Sequence, residues 1–118
     1  MKLLLIGIVA ISIIYFFTSQ SSQGTPSISS ASAQNLLDDE DYIFLDVRTL
    51  AEHENLSIPN TSVIPIEELA NRVDELEKYK DKKIILYCRS GNRSGTGTMM
   101  LRELGYDAIN LTGGMNQW

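Results

Sequence analysis

The chain has 118 residues, 43% of them apolar, which fills one hydrophobic core but not two and excludes a multidomain enzyme. Ten Lys and Arg oppose 15 Asp and Glu for a net charge of −5, the wrong sign for a protein that displaces counterions from nucleic-acid phosphates. The single cysteine, Cys88, excludes an internal disulfide, and the single histidine, His53, has no companion at metal-ligand spacing, so neither a metal nor another cofactor is expected.

The chain opens on Leu3 to Phe17, an apolar run broken only by Gly7 and Ser12, with Lys2 as its one flanking charge. At 1.5 Å per residue the run spans about 22 Å of a hydrocarbon core about 30 Å thick, and Met1 and Thr18 extend it to about 27 Å. Residues 1–18 are therefore expected to be a membrane anchor or a signal peptide. The one good cleavage pattern, Ala31-Ser32-Ala33, lies far beyond the run and inside the first helix expected of the domain, which favours the anchor. Lys2 keeps the N-terminus cytoplasmic, which places the domain on the extracytoplasmic side, or in the medium if the signal is cleaved. Residues 19–27, small and polar with Gly24 and Pro26, read as a flexible tether, and residues 28–118 as the folded domain.

Within the domain, helical and strand-like segments alternate. Ser30 to Leu37 places Ala33, Leu36 and Leu37 at helical spacing, with Ser29 or Ser30 as N-cap. Tyr42 to Leu45 and Ser62 to Ile64 are short apolar runs of the kind found in buried parallel strands. Ile66 to Tyr79 predicts a helix with Leu69, Val73 and Leu76 on its inner face and Glu67, Glu68, Asp74, Glu75 and Lys78 in solvent. Lys83 to Tyr87 is the strongest strand, Ser94 to Leu104 a helix, and Ala108 to Leu111 the last strand. Strands separated by helix-sized segments imply an α/β fold: a mostly parallel sheet of four to five strands with helices on both faces. Sites in such sheets lie at the carboxyl ends of the strands, where Asp46, Arg48 and Cys88 fall.

The strongest strand delivers the chain into Cys88-Arg89-Ser90-Gly91-Asn92-Arg93-Ser94 and then a helix. A cysteine before a helix N-terminus faces the positive end of the helix dipole and N–H groups without intrahelical acceptors, which together favour an anion. Arg89 and Arg93 add positive charge, Gly91 supplies the backbone freedom of a tight cradle, and Ser94 either caps the helix or donates its hydroxyl to the sulfur. All of this lowers the thiol pKa of Cys88 and marks it as a nucleophile rather than a small buried hydrophobe.

The loop from Cys88 to Ser94 resembles the active-site loop of the rhodanese sulfurtransferases, Cys-x-x-Gly-x-x-Ser. Three further segments carry the resemblance: Leu45-Asp46-Val47-Arg48 with Glu52-His53, Ile58-Pro59 with Ile64-Pro65, and Leu111-Thr112-Gly113-Gly114-Met115-Asn116-Gln117-Trp118. The resemblance covers residues 28–118 and implies a three-layer rhodanese-like fold. It also implies a reaction in which Cys88 takes the outer sulfur of a small anionic donor such as thiosulfate, or of a persulfide, and passes it to cyanide or a thiol, including a protein thiol. The backbone from Arg89 to Ser94 would then hold the persulfide and the leaving anion, with Arg89 and Arg93 attracting the donor. Asp46 and Arg48 are expected to support the strand end, with Arg48 paired to Glu52 at i, i+4 spacing.

Some positions depart from the family pattern. Leu56-Ser57 stands where it has Gly-His, and Asn60 where it has Gly, although asparagine tolerates left-handed backbone. Gly95 and Gly97 sit inside the helix after the loop, at a cost of about 1 kcal/mol each relative to alanine, and either bring the helix close to the sheet or leave it mobile. The rival readings are a binding module without catalysis and a cysteine phosphatase or arsenate reductase. The latter place arginine six positions after the cysteine, where this chain has Ser94.

Overall fold

The computed structural model describes residues 24–118. The expected anchor or signal, 1–18, and most of the expected tether lie outside the described residues. Among the described residues no helix is long and apolar enough to cross a membrane.

Five strands form one sheet: β1 (Ser27–Ile28), β2 (Tyr42–Asp46), β3 (Ser62–Val63), β4 (Lys83–Tyr87) and β5 (Asp107–Leu111), in the order β1-β5-β4-β2-β3. Every neighbouring pair is parallel. Helices α1 (Ser30–Gln34), α2 (Leu50–Asn55), α3 (Asn92–Glu103) and α4 (Gly114–Gln117) complete the three-layer α/β fold expected from the sequence. The strand-end register sets the site. Asp46 lies opposite Tyr87, and Leu86 opposite Asn110, so the chain leaves β4 at Cys88 between β2 and β5.

Alternation along β4 divides the core. Ile84, Leu86 and Cys88 point into one apolar cluster with Leu45, Val47, Leu69 and Leu101, while Ile85 and Tyr87 point into the other with Ala33, Phe44, Ile58 and Leu111. Both faces are covered, which is why β4 reads as a continuous apolar run. Burial of each such Leu or Ile contributes about 1.5–3 kcal/mol. Trp118 meets Phe44 edge-to-face at 6.1 Å and anchors the end of the chain on the second cluster.

The short helices α2 and α4 are elements that the sequence pattern does not predict, and other elements differ from expectation in extent or type. Ser27 already pairs with Asn110 in β1, and Asn110 donates its N–H to the Pro26 carbonyl at 2.8 Å, so the sheet captures the end of the stretch read as tether. The first helix ends at Gln34 rather than Leu37; Ser29 is its N-cap, accepting from the Ser32 N–H. The helix expected over Ile66 to Tyr79 is two 3₁₀ segments, Ile66–Glu68 and Val73–Tyr79, separated at Arg72 (φ −119°, ψ 13°). The 3₁₀ rise of about 2.0 Å per residue reaches further along the sheet than an α-helix would, and Leu69 and Leu76 still enter the core. Apolar spacing identifies the inner face of such a segment without choosing between the two hydrogen-bond patterns. Finally α3 starts at Asn92, two residues before the expected Ser94, because Gly91 in left-handed backbone (φ 104°) turns the chain into the helix.

The two glycines inside α3 play different parts. A Cβ on Gly97 would meet Leu86 Cδ2 at 2.9 Å and Ile66 Cδ1 at 3.2 Å, so glycine there sets how closely α3 approaches β4. A Cβ on Gly95 would meet nothing nearer than the Asn110 side chain at 3.5 Å.

Candidate active site

Cys88 is buried at the end of β4, and its sulfur is the point on which the following loop converges. The Gly91 N–H donates to Sγ at 3.1 Å, the Ser94 N–H at 3.5 Å and the Ser94 hydroxyl at 3.3 Å. This is the ring of unused helix-start donors. The loop closes so tightly because Gly91 takes positive φ and because Gly114 takes φ 53° across from it. A Cβ on Gly114 would lie 2.3 Å from the Cys88 carbonyl oxygen. Its absence lets α4 approach, and the N–H groups of Met115 and Asn116 donate to the carbonyls of Cys88 and Arg89 at 2.9 and 3.0 Å.

Burial alone pushes the Cys88 thiol up. Hydrogen bonds from the Ser94 hydroxyl and from the N–H groups of Ser94, Gly91 and Ser90 outweigh it, and the thiol lies below its ordinary range. The lowering expected from the sequence is therefore present, carried chiefly by hydrogen bonds rather than by the two arginines. Arg93 is engaged elsewhere: Nη1 and Nη2 donate to the two Glu52 carboxylate oxygens at 2.8 and 2.9 Å, a bidentate pair joining α3 to α2. That pair, led by the Arg93 hydrogen bonds, holds the Glu52 carboxyl down at about 2.

The expected Arg48–Glu52 pair is therefore not the one formed. Arg48 turns back on Asp46, with Nε at 3.0 Å from Oδ1 and Nη2 at 2.7 Å from Oδ2, and Nη2 also donates to the Leu56 carbonyl at 2.6 Å. Both residues are buried, and the guanidinium fork satisfies both carboxylate oxygens of Asp46 there. His53 Nδ1 donates to the same Asp46 carboxylate at 2.9 Å. Asp46 thus gathers the end of β2, Arg48 and α2 into one support beside the cysteine loop. Glu52 also closes a capping box with Thr49, which starts α2 and orients the carboxylate toward Arg93.

Of the loop residues singled out in the sequence, Gly91 and Ser94 touch the sulfur directly. Ser90 and Asn92 are exposed backbone of the cradle, and Arg89 is exposed at its rim. Arg89 lines a groove of about 400 Å³ with Arg48, Glu52, Leu56, Met115 and Asn116. A residue missed in the sequence belongs to the same site. Asn110 on β5 accepts from the Ser94 hydroxyl at 2.6 Å and donates through Nδ2 to the Gly91 carbonyl at 3.1 Å. Its signal was a polar residue interrupting the apolar strand Ala108-Ile109-Asn110-Leu111 next to the cysteine strand.

A parallel α/β sheet that closes a strand on a thiol held by helix-start N–H groups defines a class, and residues 29–118 match the family model of the rhodanese-like domain. The chain belongs to the rhodanese-like family. It is 37% identical over 87 residues to a sulfurtransferase of Allochromatium vinosum, covering 73% of this chain and 79% of that protein. It is 30% identical over 96 residues to the tRNA uridine(34) hydroxylase of Cronobacter sakazakii, of which the match spans 28%. Its fold superposes with a TM-score of 0.72 on a rhodanese-related protein of Thermoplasma volcanium, at 35% identity, covering 79% of this chain and 89% of that one.

Proposed function

We propose that the protein is a sulfurtransferase that carries sulfane sulfur on Cys88. The Cys88 thiolate attacks the outer sulfur of thiosulfate or of a persulfide donor. A new S–S bond forms as the donor's bond breaks, and sulfite or a thiolate leaves with the electron pair. Cyanide or a thiol then attacks the outer sulfur of the Cys88 persulfide, and the Cys88 thiolate departs into the donors that held it. Charge leaves Cys88 Sγ in the first step and returns in the second, and no external oxidant or reductant is needed.

The observation that carries this reading is the convergence of the Gly91 N–H, the Ser94 N–H and the Ser94 hydroxyl on one buried sulfur. The two N–H donors are fixed before the reaction, so they stabilise the anion without reorganising. A sulfur atom at the bottom of this cradle suits a donor that presents a single terminal sulfur. Arg89, exposed at the rim and in no ion pair among the described residues, is placed to draw an anionic donor to the mouth. The test is thiocyanate production from thiosulfate and cyanide. The reading requires turnover by the wild-type chain and its loss in Cys88→Ser, and turnover undiminished by that substitution would overturn it.

The apolar run from Leu3 to Phe17 supports a membrane-anchored protein whose domain faces the extracytoplasmic side. Cell fractionation checks this: the chain should remain with membranes after a high-salt wash, and recovery in the soluble fraction argues against the anchor.

A further inference from the structure

Ser94 has one hydroxyl proton and two acceptors within reach: Cys88 Sγ at 3.3 Å and Asn110 Oδ1 at 2.6 Å. Ser94 is fully buried, so water does not offer a third. The orientation of the Asn110 amide is set by the Gly91 carbonyl, which accepts from Nδ2 and would repel Oδ1. The carbonyl end therefore faces Ser94.

The balance between the two acceptors changes during the reaction proposed above, on which this inference rests. In the bare thiolate the charge sits on Sγ, and a charge-assisted hydrogen bond outcompetes a neutral one. Once a second sulfur is attached, the charge moves to the outer atom and Sγ becomes a neutral divalent sulfur, a weak acceptor. The amide oxygen is then the better partner, and without it the buried hydroxyl would have none.

We propose that Asn110 is a positioning residue for sulfur transfer, competing with Cys88 for the Ser94 hydroxyl proton. Asn110 takes the proton while Cys88 carries the transferred sulfur and yields it when the bare thiolate returns. The exchange is a rotation about the Ser94 Cβ–Oγ bond and leaves every covalent bond intact. Its effect is to favour the loaded form of the protein over the empty thiolate.

The charged groups around the cradle stay in place during the test. Arg93 of α3 feels the Cys88 charge and is paired with Glu52 of α2, Arg89 follows the cysteine, and Asp46, Arg48 and His53 form the cluster at the end of β2. From β5 the residue that reaches the cradle is Asn110 itself, which is uncharged.

The experiment is the pH dependence of Cys88 alkylation by iodoacetamide in the full chain, without any sulfur donor. In Asn110→Ala the neutral Ser94–Asn110 hydrogen bond that the thiolate must outcompete is gone, and the midpoint should fall by up to about one pH unit, the worth of that bond. In a Ser94→Ala background the same substitution should produce no fall. A residue that merely braced the loop would loosen the N–H donors when removed, and the midpoint would rise in both backgrounds, which overturns the proposal. Should Asn110→Ala not fold, the wild-type chain supplies a second readout. The Asn110 side-chain carbonyl resonance should move when Cys88 is loaded from polysulfide, and an unmoved resonance on a loaded chain overturns the proposal. If no sulfur loads, the sulfurtransferase reading fails, while the alkylation midpoints still decide the competition for the proton.

Discussion

Ser94 and Cys88 concentrate the chemistry of this fold at the scale of single side chains. The thiol is buried, which opposes ionisation, and is ionised more easily than a free thiol because the Ser94 hydroxyl and the N–H groups of Ser94, Gly91 and Ser90 outweigh that burial. Alkylation of the wild-type chain should titrate with a midpoint below the free-thiol value of about 8.5. Ser94→Ala removes one donor and should raise that midpoint by about one unit, slowing alkylation at neutral pH in proportion. An unchanged midpoint would mean that the backbone N–H groups alone hold the thiolate. Beside the loop, Arg48→Ala strands the fully buried Asp46 carboxylate, and urea unfolding should show a loss of about 3–5 kcal/mol. A loss under about 1 kcal/mol would mean that water or His53 replaces the guanidinium.

Contacts between elements explain features that single residues do not. Gly97 sits where α3 crosses Leu86, so Gly97→Ala should destabilise by about 1–3 kcal/mol despite the better helix propensity of alanine. Gly95→Ala has room and should stabilise by up to about 1 kcal/mol. Equal effects of the two in denaturant melts would show that helix propensity, not packing, governs both sites. The Arg93–Glu52 pair between α3 and α2 adds a pH signature. Its Glu52 carboxyl, ordinarily near 4.5, is held at about 2 in the folded chain, so its contribution is complete above pH 4.5 and is lost as pH falls through about 2. Glu52→Gln should flatten that part of the acid unfolding profile, which a pH series of melts would detect.

The whole molecule shows where sequence reasoning succeeds and where it stops. The loop from Cys88 to Ser94 was legible because its parts are contiguous: a strand, a turn glycine and a helix start dictate one another locally. The parallel sheet followed from the alternation of strand-like and helix-like segments, and Asn60 does take the left-handed backbone (φ 62°) that its place in the motif requires. What failed was non-local. Glu52 has a suitable partner four residues away in Arg48, yet it bonds to Arg93, 41 residues on, because the pairing of β4 with β2 brings the start of α3 within reach of α2. Asn110 gains its place from the pairing of β5 with β4, which spacing along the chain does not encode. The single cysteine that first excluded a disulfide is the sulfur on which the loop's donors converge.

Whether this thiol carries sulfur is decided by intact-mass spectrometry of the full chain. Exposure to thiosulfate or polysulfide should add the mass of one sulfur atom at Cys88, and cyanide should then remove it as thiocyanate. A wild-type chain that gains no sulfur from either donor, or a Cys88→Ser chain that gains it equally, would show that Cys88 is not the sulfur carrier.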